Sequence, residues 1–308
     1  MKAEIWFLLA LITVLCGAKP LANKKLKIVT IESPPFCFTD HDAEDDEPQF
    51  QGFLIDLLEK IREKLGFDYE LYRVPDGKYG YADVTGRWLG MVGELVTGQA
   101  DVALAPLTIT RSRQKVIRFG TPYMAAGLVP VAQLPKPGEK LPFNNNLVTL
   151  AGSERYKYGV LAKGSTYQFF RHNTHPLFEA MGSYMACNEQ HHVKNYLDAM
   201  DKCRDDKNFV FFGEEPMLNF LTGRSPCDLL IVGSSLNERY YGMAFPMSQD
   251  ELAKQFNQAL LELTESGMKD KLLDKWWESD CSKPKYCICE KPVSSEESHE
   301  NATRTDFE

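Results

Sequence analysis

The stretch PLTITRSRQKVIRFGTPY at residues 106–123 directly follows the apolar run ADVALA. This run predicts a buried strand, which ends at Pro106 because proline has no amide hydrogen to donate to a sheet. Thr110 or Ser112 can cap a following helix and place Arg113 in its first turn. Helix amides, the helix dipole and a guanidinium together suit a carboxylate. The alternative is a capped surface helix whose arginine forms a salt bridge at the rim.

Two further segments place polar groups at predicted element ends. Ser165 and Thr166 follow Gly164 at the start of a predicted helix, where consecutive amides and hydroxyls form an anion site. Glu214 follows the apolar strand FVFF and places a carboxylate at the crevice where α/β proteins bind ligands. A plain N-cap and solvated loop glutamates are the alternatives. With Arg113, these groups complement an α-amino acid that carries an additional acidic group.

The chain alternates predicted strands with predicted helices. These elements are a strand at 25–31, a helix at 53–65 that stops at Gly66, strands at 69–74, 100–105 and 209–212, and helix over 251–277, broken near Gly267. The alternation predicts an α/β architecture with largely parallel sheets. Residues 130–150, rich in Pro, Gly, Lys and Asn, predict an exposed connection.

Composition bounds the class of protein. The chain has 308 residues, of which 44% are hydrophobic and 25% charged, enough for one large or two moderate domains with a real core. Its formal net charge is -8, and no basic run is long enough to follow a phosphate backbone. Nucleic acid is therefore excluded as a partner.

The two ends of the chain predict export. The apolar run IWFLLALITVL behind Lys2, followed by Cys16-Gly17-Ala18, predicts a signal peptide over 1–18. Its 11 residues fall short of the roughly 20 that a spanning helix needs, and no later segment is apolar enough to cross a membrane. Residues 282–308 predict a disordered acidic tail with a glycosylation sequon at Asn301.

The cysteines and histidines do not predict a metal site. Removal of the signal peptide leaves seven cysteines, and an odd count leaves one free or paired between chains. The segment Cys287-Ile288-Cys289 lacks metal-ligand spacing, and His191 and His192 are adjacent rather than four apart. We predict no metal and no cofactor.

The motifs as a set resemble a known family. The segment GKYGYADVTGRWLGMVGELVTGQADVALAPLTITRSRQKVIRFGTPY is closely similar to the ligand-binding domain of ionotropic glutamate receptors. The same order continues with YGVLAKGSTYQFF at 158–170, PCD at 226–228, YYGMAFP at 240–246 and LLDKWW at 272–277. The resemblance covers residues 24–281. It implies a two-lobed, periplasmic-binding-protein-like (type II) clamshell, an α/β fold with the ligand cleft between lobe 1 (24–125 and 241–281) and lobe 2 (126–240).

The resemblance also implies how the cleft holds an amino acid. Arg113 would bind the α-carboxylate, helped by the amides of Thr108 and Ser165. The carbonyl of Pro106, the hydroxyl of Thr108 and the carboxylate of Glu214 would hold the α-ammonium group.

Five further residues match positions around the ligand. Thr166 would bind a distal carboxylate, and Tyr79 would cover the ligand. Glu32 and Tyr241 match cleft-lining positions, and Met217 lies beside the side-chain pocket. Cys227 and Cys281 match the disulfide of the family.

The chain departs from the family pattern in two ways. Family members carry a membrane pore between the two halves of the domain, and here residues 128–150 form a short hydrophilic connection instead. Gly213 and Pro216 replace bulkier or hydroxylated residues near the distal end of the ligand. From the first departure we expect a secreted, extracellular protein that binds L-glutamate or a related amino acid without channel activity. From the second we expect a ligand selectivity that extends to other amino acids.

Two alternatives remain from the sequence. The first is a decoy or modulator that forms a homodimer or pairs with membrane receptors of the family through lobe 1. The second is an enzyme on the same scaffold, for which Cys37, near the ligand entrance, is the one candidate nucleophile. We predict no catalytic residue and rank amino-acid binding first.

Overall fold

The computed structural model describes residues 21–39, 49–137, 139–140, 143, 146–162 and 164–281. Its strands are β1 (Lys25–Thr30), β2 (Phe38–Thr39), β3 (Phe50–Gln51), β4 (Asp68–Arg73), β5 (Val102–Ala103), β6 (Ile117–Ala125), β7 (Leu128–Gln133), β8 (Lys157–Val160), β9 (Phe209–Glu214), β10 (Leu229–Ile231) and β11 (Tyr240–Pro246). Its α-helices are α1 (Phe53–Leu65), α2 (Gly90–Val96), α3 (Arg111–Gln114), α4 (Leu147–Ala151), α5 (Ser165–Arg171), α6 (Pro176–Cys187), α7 (Tyr196–Asp205), α8 (Glu215–Thr222), α9 (Asp250–Glu265) and α10 (Met268–Trp276).

Two main sheets divide the molecule into two halves. The first sheet has the order β4-β1-β5-β11-β6, in which β1 runs parallel to β4 and β5 while β11 runs antiparallel to β5 and β6. The second has the order β10-β7-β9-β8, with β8 parallel and β7 antiparallel to β9. The first half comprises β1–β6, β11, α1–α3, α9 and α10, and the second half comprises β7–β10 and α4–α8. The predicted fold class, a two-lobed α/β clamshell, is confirmed. The expectation of largely parallel sheets is wrong, because four of the seven strand pairings described in these two sheets are antiparallel.

The apolar face of α1 anchors the core of the first half. Phe53, Leu57, Leu58, Ile61 and Leu65 recur at helical spacing and are buried, so the helix packs this side against the sheet and against α9. The helix ends at Gly66, whose φ of 79° is left-handed and lets its amide donate to the carbonyl of Arg62.

The chain crosses between the two halves twice, and the two crossings contact each other. One crossing lies between β6 and β7 and the other between β10 and β11. The amide of Ala126 donates to the carbonyl of Arg239 at 2.7 Å, and that of Leu128 donates to Asn237 Oδ1 at 3.3 Å. A Cβ at Gly127 would lie 2.1 Å from Ser235 Oγ, so only glycine allows this close approach.

The predicted exposed connection at 130–150 is wrong at both ends. Residues 128–133 form β7, an inner strand of the second sheet with a buried face, and 147–151 form α4. Pro130 favoured a loop because it cannot donate to a sheet; here its carbonyl accepts from the amide of Val232 at 2.9 Å, which keeps the strand paired. The strand predicted at 100–105 is also shorter, and spans Val102–Ala103.

The C-terminal segment ties the two halves together. After α10, the indole of Trp277 donates to the carbonyl of Pro216 at 2.9 Å, and Cys281 forms a disulfide with Cys227. No helix in the described part of the chain is long and apolar enough to cross a membrane. The predicted signal peptide at 1–18, the tail at 282–308 with its sequon at Asn301, and the cysteines at 287 and 289 lie outside the described residues.

We predict that removal of the disulfide destabilises the domain. The bridge spans a sequence separation of 54 residues, and the loss of this constraint on the unfolded chain costs roughly 4 kcal/mol in the chain-entropy account. Urea unfolding of the Cys227→Ser/Cys281→Ser double variant measures this change. Cys187→Ser, at an exposed free cysteine, is the control. A decrease of less than about 1 kcal/mol in the free energy of unfolding of the double variant contradicts the prediction.

Candidate functional site

The carboxylate of Glu214 bonds to both halves of the molecule. It ends the fully buried strand β9 and is itself 7% exposed. Its Oε1 accepts hydrogen bonds from Thr108 Oγ1 at 2.5 Å and from Ser165 Oγ at 3.0 Å, and its Oε2 accepts from the Tyr241 hydroxyl at 2.8 Å. Thr108 and Tyr241 belong to the first half, while Ser165 and Glu214 belong to the second. The interface between the halves is therefore organised around one anionic group.

Arg113 supplies the opposite charge. It lies in α3, where Thr110 Oγ1 accepts from its backbone amide at 3.3 Å, which is the predicted N-cap. The side chain is 5% exposed, and its guanidinium donates to the carbonyls of Thr108 at 2.8 Å and Gly80 at 3.1 Å. Burial lowers the pKa of Arg113 to about 10, against the opposing effect of Glu214. The group remains cationic at neutral pH.

The charged groups line a cavity of about 240 Å³ between the halves. The predicted site residues that line it are Pro106, Thr108, Arg113, Ser165, Glu214 and Tyr79. A second cavity of about 420 Å³ adjoins it and shares Arg113, Ser165 and the backbone around Gly80. We call them the inner cavity and the outer cavity.

Two other predicted residues, Met217 and Tyr241, line neither cavity and lie behind residues that border the inner one. The Tyr79 hydroxyl lies 3.1 Å from Ser33 Oγ, and burial raises its pKa to about 12. Ser33 also donates to the sulfur of Met217 at 3.6 Å. Burial raises the pKa of Tyr241 well above its ordinary value. These tyrosines are therefore neutral hydrogen-bonding groups.

Two predicted residues are placed differently. The Glu32 carboxylate forms an ion pair with Arg73 and accepts from the amide of Thr39 at 3.3 Å, so it faces Arg73 and lines neither cavity. Thr166 is 3% exposed in the first turn of α5 and likewise lines neither cavity.

Sequence reasoning missed four cations near the site, one of which, Arg111, lies two residues before Arg113 and lines the outer cavity. Lys78 and Lys194 line the inner cavity, and Arg239 lines the outer one. Lys78 is next to Tyr79, so its position is visible in the segment GKYG. Lys194 precedes α7, and Arg239 lies on the second crossing. No nearby sequence motif marks either residue as part of the site, because only the order of the strands in the sheets brings these segments to the cleft.

The comparisons with known proteins bear on the family of the chain. The family model described as "Ligated ion channel L-glutamate- and glycine-binding site" matches residues 24–136, which include Pro106, Thr108 and Arg113. Over these residues the chain is similar to the ligand-binding domain of ionotropic glutamate receptors. The recognition made from the sequence is thereby confirmed.

The relatives show how much of a receptor this domain spans. The chain is 26% identical over 370 aligned residues to a probable glutamate receptor of Lithobates berlandieri, covering 84% of this chain and 74% of that protein. It is also 26% identical over 379 residues to glutamate receptor 3 of Rattus norvegicus and of Homo sapiens, covering 83% of this chain. The chain spans less than half of these two proteins, 43% and 42%.

Cys37, the one nucleophile considered from the sequence, lies in the core of this ligand-binding domain. It is 1% exposed, and desolvation raises the pKa of its thiol to about 11. The thiol is therefore protonated at neutral pH, which opposes a nucleophilic role. Among the described residues, no group of acidic, histidine or cysteine side chains could hold a metal ion.

We predict that the free cysteines react at different rates when the folded protein is alkylated. Cys187 is exposed, whereas Cys37 and Cys203 are buried and burial raises the pKa of Cys203 to about 12. With a pKa near 11 for Cys37, about one thiol in a thousand is ionised at about pH 8. Peptide mass analysis after iodoacetamide treatment should find Cys187 modified and Cys37 and Cys203 protected until urea is added. Modification of Cys37 at the rate of Cys187 would contradict its burial.

Proposed function

We propose that the chain is a secreted, glutamate-receptor-like protein that binds L-glutamate or a related amino acid in the cleft, without channel activity. Lobe 1 is residues 24–125 and 241–281, and lobe 2 is residues 126–240. One observation carries the proposal: the cationic Arg113 and the carboxylate of Glu214 line the same small cavity between the halves. An α-amino acid carries an ammonium group and a carboxylate on the same carbon, so it can satisfy both groups at once.

Each end of an amino acid has donors or acceptors in this cavity. The guanidinium of Arg113 suits the α-carboxylate because its planar fork donates two parallel hydrogen bonds. Glu214, with the hydroxyl of Thr108 and the carbonyl of Pro106, suits the ammonium group. The hydroxyls of Thr108 and Ser165 donate hydrogen bonds to Glu214. A bound ammonium group can take the place of these donors or donate to Glu214 beside them.

The additional cations of the inner cavity favour an acidic side chain. Lys78 and Lys194 line it together with Arg113, and among the described residues Glu214 is the one carboxylate that lines it. Cations around a low-dielectric cleft raise the local concentration of an anionic ligand. A ligand with two carboxylates and one ammonium group fits this balance better than a neutral amino acid.

Two observations support a form without a pore. The alignment with the frog protein spans 370 positions, but only about 259 residues of this chain (84% of 308) take part, so about 111 positions have no counterpart here. In the order of the described elements, α4 follows β7 within the segment that replaces a pore in the resemblance. The apolar run over residues 5–15 supports secretion.

The deciding experiment is calorimetric titration of the secreted protein with the common L-amino acids and glycine, followed by mass analysis of the recovered ligand. Saturable binding of glutamate or a small set of amino acids, returned unaltered, supports the proposal. Consumption of the ligand would favour an enzyme. A lack of binding across the panel would overturn amino-acid recognition and favour the role of a decoy or modulator.

Replacement of Arg113 should remove ligand binding. Arg113→Ala leaves the ligand carboxylate without its partner, which costs several kcal/mol and lowers the affinity about a hundredfold or more. Arg62→Ala, at an arginine paired with Glu59 on α1, is the control in the same titration.

If the alanine variant is unstable, Arg113→Lys is the second test. It keeps the positive charge and loses the planar guanidinium that donates two parallel hydrogen bonds to a carboxylate. Thermal unfolding identifies variants that have lost the fold. Affinity within about tenfold of the unmodified protein in a folded Arg113→Ala variant excludes Arg113 as the carboxylate-binding residue.

Thr166→Val should distinguish ligands by their side chains. The resemblance assigns Thr166, whose side chain lines neither cavity here, to the distal carboxylate; if this assignment holds, loss of its hydroxyl should weaken acidic ligands about tenfold and spare neutral ones. Thr264→Val, at a helical threonine that bonds to the carbonyl of Leu260, is the matched control. An equal decrease in affinity for acidic and neutral ligands means that Thr166 does not bind the distal carboxylate.

A further inference from the structure

The inner cavity carries more positive than negative charge. Lys78 and Lys194 line it with Arg113, and among the lining residues that the structure describes Glu214 is the one carboxylate. Three cations against one carboxylate leave an excess of two positive charges. A cavity with an excess of one sign concentrates ligands of the opposite sign. A ligand that neutralises this cavity therefore carries a net charge of two negative units.

Neither lysine forms an ion pair within the part of the chain that the structure describes. Asp76, the carboxylate two residues before Lys78, accepts instead from the backbone amides of Lys78 at 3.1 Å and of Gly90 at 2.9 Å. The ammonium group of Lys78 lies 5.6 Å from the centre of the Tyr81 ring, which lines the same cavity. Lys194 is exposed. Both positive charges are thus open to an anionic group of the ligand.

The two lysines come from opposite halves of the molecule and suit the distal end of the ligand. With the ammonium group at Glu214 and the α-carboxylate at Arg113, the side chain is the part of an amino acid that is left for them. Thr166, which the resemblance assigns to a distal carboxylate, lines neither cavity. A lysine ammonium group is a compact charge with three donors, which suits the oxygens of a phosphate or a carboxylate.

We propose that the cleft prefers α-amino acids whose side chain carries two negative charges, in a phosphate monoester or in a pair of carboxylates, and that Lys78 and Lys194 bind this dianion. A phosphate monoester carries close to two negative charges at neutral pH and has three acceptor oxygens, so both lysines can donate to it. L-Glutamate neutralises only one of the two excess charges. The inference rests on the proposed function, because the contacts with Glu214 and Arg113 are the same.

Two matched pairs of ligands test this preference by calorimetry on the full secreted chain. O-Phospho-L-serine is compared with L-serine O-sulfate, which has the same skeleton and one negative charge on the ester. γ-Carboxy-L-glutamate is compared with L-glutamate. At about pH 7.5, above the second pKa of about 6 of a phosphate monoester, each dianion should bind about tenfold more tightly than its counterpart. The gain is no larger because exposed ion pairs are individually weak. The pair with the larger ratio identifies phosphate or dicarboxylate as the preferred group.

Replacement of both lysines should remove the preference. In Lys78→Gln/Lys194→Gln, the affinities within each pair should differ by less than about threefold, mainly because the dianions bind more weakly. Lys60→Gln/Lys254→Gln is the matched control, since it changes the net charge equally at lysines that pair with carboxylates on their own helices, α1 and α9. It should leave both ratios unchanged. Thermal unfolding checks that each double variant keeps the fold.

Three results would overturn the inference. They are equal affinities within both pairs of ligands, a preference that survives Lys78→Gln/Lys194→Gln, and a preference that the control variant loses to the same extent. Each of them leaves the proposed function intact when L-glutamate binds. Failure of all four ligands to bind overturns the inference and the proposed function together.

Discussion

The burial of the Glu214 carboxylate between the two halves constrains the rest of the site. A buried charge is tolerated only when hydrogen bonds replace the water it has lost. Hydroxyls of Thr108 and Tyr241 from one half and of Ser165 from the other supply these bonds. Three of the hydroxyls around the cleft thus hydrogen-bond one buried anion in the absence of a ligand.

Arg113 completes this arrangement at a short distance along the cavity wall. Its guanidinium is held by two backbone carbonyls, so its orientation is set by the fold before any ligand binds. A preorganised cation loses little side-chain entropy on binding. Tyr79 in the wall and Tyr241 behind Glu214 are neutral, because burial raises the pKa of both hydroxyls. The cleft therefore combines two fixed charges with uncharged hydrogen-bonding groups.

The sequence predicted elements whose signals are local and missed those that depend on distant partners. The apolar face of α1 and its Gly66 stop, the cap of Arg113 by Thr110, and the strand before Glu214 are all visible within a few residues. The strand β7 was missed because Pro130 reads as a loop signal unless its sheet neighbours are known. Two features depend on the order of the strands in the sheets, which cannot be predicted from a short segment. They are the ion pair of Glu32 with Arg73 and the position of Arg239 at the cleft.

The disulfide of Cys227 with Cys281 changes the mechanics of the two halves. The helix α10 packs on the first half, where Trp276 donates to Asp56, yet five residues later the chain is bonded to the second half. The halves are therefore joined by three connections, two of which pair with each other through Ala126 and Arg239. Any relative movement must keep all three within reach, which favours rotation about a line through the crossings over sliding or separation.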